Sequence, residues 1–273
     1  MESNFFNLSE VKAFFIVVVF LFVFHLSAFP QILVGPIAGA NYSWTAFGDK
    51  DLKNDYQVNP VFGFHVGGHL AFKVQKRFFL HTSLVYSSKG RDLKGKADPM
   101  LENSARYNFI EMPMSYTVDF KGKIGNNKEF KYFIGIGPNL SYWLNGSGTL
   151  FNSDFEENHI SELSYKVVYK KAPETQAADE MNVPEPNRFQ FGLNFVAGLI
   201  LEPAPRQRML FSVRYELGHT YLAKSNGIFL NTYFQDPLRS RNQGFRVSLA
   251  YLLDLKTEER KKGKSTIDRR KPR

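Results

Sequence analysis

Eight stretches of alternating apolar and polar residues between positions 32 and 255 constrain this chain more than any other feature. In residues 189–202, Phe189, Phe191, Leu193, Phe195, Ala197, Leu199 and Leu201 fall on one parity, and Gln190, Gly192, Asn194, Gly198 and Glu202 on the other. A period of two is that of a β-strand. A soluble sheet would pack its apolar face on a second layer, whereas a barrel in an outer membrane turns that face to lipid and keeps small and polar groups inside. The stretches run 32–43, 61–73, 79–88, 107–119, 131–144, 189–202, 209–221 and 244–255. A strand of about 11 residues tilted near 40° crosses roughly 25 to 30 Å of hydrocarbon. The predicted fold class is all-β: an eight-stranded antiparallel up-and-down transmembrane β-barrel behind an N-terminal signal peptide.

Connection lengths supply an independent check. Residues 45–60, 89–106, 145–188 and 222–243 make long connections, while 74–78, 120–130 and 203–208 make short ones with turn chemistry such as Pro203-Ala204-Pro205. Barrels of this class keep short turns in the periplasm and long loops outside, so both termini are expected to be periplasmic. Aromatic residues near strand ends (Phe78, Tyr86, Tyr107, Tyr142, Trp143, Phe189 and Tyr221) are expected as interfacial girdles.

The flanks complete a three-part division. Residues 13–26 form an almost unbroken apolar run of about 14 residues, short of the roughly 20 that span a bilayer, with Lys12 before it and Ser27-Ala28 after it. Residues 1–31 are therefore expected to be a signal peptide, residues 32–255 the barrel, and residues 256–273 a basic periplasmic tail. That tail holds nine Lys or Arg against three acidic residues, in a chain whose formal net charge is +9. Secretion excludes nucleic acid as its partner, leaving anionic lipid head groups, the cell-wall polymer, or a merely solvated tail. The absence of cysteine removes disulfides, thiolate metal sites and a cysteine nucleophile.

Parity also selects the lumen. His65, His69, Glu111, Asp119, Glu202, Arg214, Glu216 and Arg246 fall on inward positions and are expected to form a structural polar network, since charges short of water must be paired. His65 and His69 lie four residues apart on one strand, about 13 Å by strand rise, too far to share a metal. Neither a metal nor a cofactor is expected. For catalysis on lipid, His81 with Ser83 or His219 with Glu216 are the available pairs; neither has a third orienting group nor a nucleophile motif, so no enzyme is expected. The connection at 145–187 carries Asp154, Glu156, Glu157, Glu162, Glu174, Asp179, Glu180 and Glu185 against Lys166, Lys170 and Lys171. A connection of that length is usually functional or disordered; here it is expected to meet a protein or glycan. Within it, residues 160–169 have strand-like content and residues 172–186 read as flexible.

Several segments resemble the PorT-type outer-membrane β-barrels of Bacteroidetes. They are Val34-Gly35 with Gly39 and Asn41-Tyr42-Ser43, Tyr86-Ser87-Ser88-Lys89-Gly90, Phe109-Ile110-Glu111-Met112-Pro113-Met114, Gly135-Ile136-Gly137-Pro138, Arg214-Tyr215-Glu216-Leu217-Gly218, and Arg241-Asn242-Gln243. The resemblance implies location and fold more than activity: outer-membrane lipid and the barrel assembly machinery as surroundings, and a porin-like shape. One departure is that the chain continues eighteen residues beyond Leu253-Asp254-Leu255, where members of the family end on an aromatic residue. The function expected is a structural or partner-binding role with a plugged lumen. The alternatives are a small-solute channel and a lipid-modifying enzyme.

Overall fold

The computed structural model describes residues 31–124, 128–157, 159, 162–169, 175–230 and 232–255. The expected signal peptide and basic tail lie outside these residues, apart from Gln31. Eight strands are long: β1 (Ile32–Phe47), β3 (Val61–Lys73), β4 (Phe78–Gly95), β5 (Glu102–Ile124), β6 (Lys128–Phe151), β9 (Phe189–Leu201), β10 (Gln207–Gly218) and β13 (Ser240–Leu255). Five are short: β2 (Tyr56–Asn59), β7 (Leu163–Val168), β8 (Glu180–Asn182), β11 (Gly227–Ile228) and β12 (Gln235–Asp236). Two short helices, α1 (Lys50–Asp55) and α2 (Ser153–Glu157), complete the described elements. No helix among the described residues is long and apolar enough to cross a membrane.

The expectation of eight strands, all antiparallel and up-and-down, is therefore corrected. The sheet has thirteen strands among the described residues, and β7 pairs with β8 in parallel. The difference lies in the long connections, whose short strands are too brief to show a two-residue period. Pairing runs β6-β5-β4-β3-β1-β13-β10-β9, and β9 also pairs with β6 over Lys131↔Ile200 to Tyr142↔Phe189, so the path returns on itself. Long connections lie at one end, the loop side; short turns and the described chain ends lie at the other, the terminus side.

Alternation decides what each strand buries. On β9 the odd positions are exposed, Phe189 at 82%, Phe195 at 46% and Leu201 at 53%, while Gln190, Asn194 and Val196 are buried. The outward apolar band continues through Phe62, Phe64 and Leu84, then Ile134, Val213, Val247 and Leu249. Water would penalise so large a contiguous apolar surface at roughly 25 cal/mol per Å²; lipid does not. Phe195→Arg, near the middle of β9, is accordingly expected to lower stability in bilayers by about 2–4 kcal/mol, measured by denaturant titration in liposomes. No loss would argue that Phe195 does not face hydrocarbon.

Outward rings pair across strands near both ends of the band. Phe78 stacks on Tyr116 and Phe120 on Tyr132 toward the terminus side, with centroids 5.6 and 5.2 Å apart. Tyr42 meets Phe62 at 4.9 Å and Tyr142 meets Phe189 at 4.8 Å toward the loop side. Tyr107 and Trp143, expected in that girdle, are instead fully buried. Tyr107 and Trp143 join an apolar cluster with Phe109, Leu150, Tyr165, Met181 and Leu238. This cluster exists because β4, β5 and β6 run past their expected ends into the long connections, which fold back over them.

Inside, backbones approach closely where side chains are absent. A Cβ on Gly39 would sit 1.9 Å from the Val247 carbonyl oxygen and 2.6 Å from the His65 ring, so only glycine fits there.

Candidate functional site

The inward residues of β4, from the terminus side to the loop side, are His81, Ser83, Val85, Ser87, Lys89, Arg91 and Leu93, and all are buried. They mark the levels of the interior. At the lowest, both ring nitrogens of His69 are engaged, Nδ1 with Ser83 Oγ at 2.8 Å and Nε2 with His81 Nδ1 at 2.9 Å. His81 lies flat on Phe133, 5.6 Å between centroids. One level up, His65 contacts Asn41 Oδ1 and Ser248 Oγ, each at 2.9 Å.

The next level is an ion ring. Lys89 Nζ donates to Glu111 Oε1 at 2.6 Å and to Glu216. Arg246 donates to Glu111 and lies 2.9 Å from Glu216 Oε1. Two cations and two carboxylates thus alternate around a square drawn from β4, β5, β10 and β13. Ser141 Oγ donates to Glu111 Oε1 at 3.1 Å. Arg214 lies beside the ring, its Nη1 donating to Asn194 Oδ1 at 3.1 Å. The Asn194 amide in turn donates to the carbonyls of Met114, Gly137 and Pro138. Burying four ions is costly unless each is paired and hydrogen-bonded; alternation of sign meets that condition. Beside the ring, a cavity of about 20 Å³ is bounded by Lys89, Glu111, Asn139, Gln190 and Glu216, room for about one water.

Above the ring, Arg91 and Asp236 form a fully buried ion pair. Arg91 also donates to Thr45 Oγ1 at 3.2 Å and to Ser240 Oγ at 3.3 Å. Asp236 belongs to β12, so this pair ties the 222–239 connection to β4. The Tyr107–Trp143 cluster closes the loop side over it.

Of the eight expected network residues, Glu111, Glu216 and Arg246 meet in the ring, Arg214 adjoins it, and His65 and His69 form the polar levels below. Asp119 and Glu202 do not belong with them. Glu202 is exposed at the terminus-side mouth, where Lys131 Nζ lies 2.5 Å from Oε2 and Arg208 Nε 3.3 Å from Oε1. Asp119 is at the same mouth, on the inward parity between the outward residues Val118 and Phe120 of β5. For Glu202, burial is outweighed by the Lys131 hydrogen bond and by the charges of Lys131 and Arg208, which hold it below its usual value.

Lys89, Arg91 and Asp236 were missed. Inward parity through Ser83, Ser87, Lys89 and Arg91 carries the signal for the first two, but Gly90 and the charges around it read as a connection. The pairs weighed for catalysis fare differently. Ser83 and His81 are both spent on His69, while Glu216 is held by Lys89 and Arg246 and His219 is exposed. Among the described residues, no three His, Cys, Asp or Glu come together to hold a metal ion.

The family model described as "Outer membrane protein beta-barrel domain" matches residues 29–221. No curated protein matches the chain. Among solved structures, the chain is similar to Neisserial surface protein A, with 13% identity over 81% of this chain and 96% of that one, TM-score 0.35. It is also similar to OprG from Pseudomonas aeruginosa, with 9% identity, 82% and 95% coverage, and TM-score 0.46. Ail of Yersinia pestis follows with 10% identity, 81% and 98% coverage, and TM-score 0.33. The PorT-type and Bacteroidetes assignment is corrected: the matching family model is that of a general outer membrane protein β-barrel domain. The segments that carried the resemblance have a packing explanation instead: Gly39 admits a close backbone approach, and Lys89, Glu111, Arg214 and Glu216 serve the ion ring or adjoin it.

Proposed function

Because the chain belongs to the outer membrane protein β-barrel domain family, we propose that it serves in the outer membrane as a plugged barrel with a structural or partner-binding role, not as a channel or an enzyme. Membrane lipid and the assembly machinery are its surroundings. The observation that carries the reading is the filled interior: histidine levels, ion ring, Arg91–Asp236 pair and apolar cluster follow one another, and the cavity beside the ring admits about one water. A conducting lumen needs a continuous polar path, and the apolar cluster on the loop side interrupts it.

In this reading the loop side is extracellular and both termini are periplasmic, in keeping with short turns at the terminus side. Residues 145–187 are offered to a protein or glycan, and residues 256–273 to the cell-wall polymer or anionic lipid. The purified protein in planar bilayers is expected to show no steady conductance above bare lipid. A stable conductance, raised further when Lys89 and Glu111 are both replaced by alanine, would put a small-solute channel in its place.

A further inference from the structure

The terminus-side mouth holds a cavity of about 230 Å³. Six cations line it: Lys73, Lys76 and Arg77 at the end of β3 and in its turn, Lys121 of β5, Lys131 of β6 and Arg208 of β10. Only Asp119 and Glu202 oppose them, leaving four positive charges in excess. Glu202 is already shared by Lys131 and Arg208, so Lys73, Lys76, Arg77 and Lys121 set the field. The Arg208 guanidinium lies over the Phe79 ring at 5.5 Å, which fixes its plane at the cavity wall. Asp119 Oδ1 is buried with no hydrogen-bond partner.

We propose that this mouth is a binding site for a phosphate group, free or carried by a lipid head group. Clustered ammonium and guanidinium groups in a partly enclosed cavity focus potential on a small oxyanion, and guanidinium and lysine together are the usual recognition set for phosphate. Asp119 and Glu202 oppose an anion here, and the cation excess outweighs them.

The test uses the whole protein in nanodiscs of zwitterionic lipid, with sulfate as a tetrahedral dianionic probe. Saturable sulfate binding by calorimetry is expected, displaced by inorganic phosphate. Lys76→Gln/Arg77→Gln/Lys121→Gln, all three exposed at the turn side and so compatible with folding, is expected to weaken it at least about tenfold. Lys94→Gln/Arg239→Gln on the loop side should leave it unchanged. In nanodiscs doped with phosphatidylglycerol, loss of free sulfate binding identifies the lipid head group as the occupant, and persistence identifies free phosphate. Absence of saturable binding, or equal weakening by both variant sets, would overturn the proposal. The assay does not depend on whether the interior conducts, so it can fail independently of the plugged-barrel reading.

Discussion

Glu111→Ala is expected to destabilise the folded protein by about 3–5 kcal/mol, because it leaves Lys89 and Arg246 buried with half their compensating charge. Glu111 is 1% exposed and accepts from both cations and from Ser141. After truncation, Glu216 alone faces two cations, with Arg214 close by. The double replacement Lys89→Met/Glu111→Leu removes one charge of each sign and should recover most of the loss, since well-packed apolar replacements of buried ion pairs are often neutral. Urea titration in detergent micelles, followed by the gel shift between unboiled and boiled samples, reads both. If the single variant costs no more than a surface substitution, or the double costs as much as the single, the ring does not hold the strands as described.

How much of this was legible in sequence depends on which physical quantity each feature needs. Strand face needs only parity, and parity put Glu111, Glu216, Arg246, His65 and His69 inside and Phe191, Phe195 and Leu199 on the apolar outer face. Height along the axis needs the stagger between strands, which a period of two does not contain. For that reason Asp119 and Glu202 were grouped with the ring although they stand at the mouth. Strand length past the membrane needs knowledge of what the loops pack against. Lys89 and Arg91 continue the inward parity of Ser83 and Ser87, yet the segment 89–95, with two glycines and four charges, carries no apolar alternation to announce a strand. Trp143 and Tyr107 illustrate the same gap: an aromatic residue near a strand end suits an interfacial girdle or a buried cluster equally, until the connections at 145–188 and 222–243 are seen to cover it.

Asp236→Ala carries the second large effect. It leaves the Arg91 guanidinium wholly buried among the neutral groups Thr45, Ser240 and the Pro237 carbonyl, at a cost of about 3–5 kcal/mol. The expected response is local. Asp236 lies in a two-residue strand held by β11, so opening the 222–239 connection hydrates Arg91 without separating the long strands. Limited trypsin digestion of the folded protein should then cut at Lys224 and Arg239 at least about tenfold faster than in the parent, while the unboiled gel mobility of the barrel is kept. Unchanged digestion would mean that the pair does not anchor this connection.

The claim on which everything else rests is that one parity of each long strand meets lipid and the other meets a filled interior. Because the chain has no cysteine, single cysteines at positions 193–197 and 199 of β9 can each carry a nitroxide label in liposomes. Leu193→Cys, Phe195→Cys, Ala197→Cys and Leu199→Cys are expected to be accessible to dissolved oxygen and shielded from a water-soluble nickel chelate. Asn194→Cys and Val196→Cys are expected to be shielded from both. A two-residue alternation of that form is the result predicted here, and nickel access at the odd positions, with no oxygen preference, would contradict it.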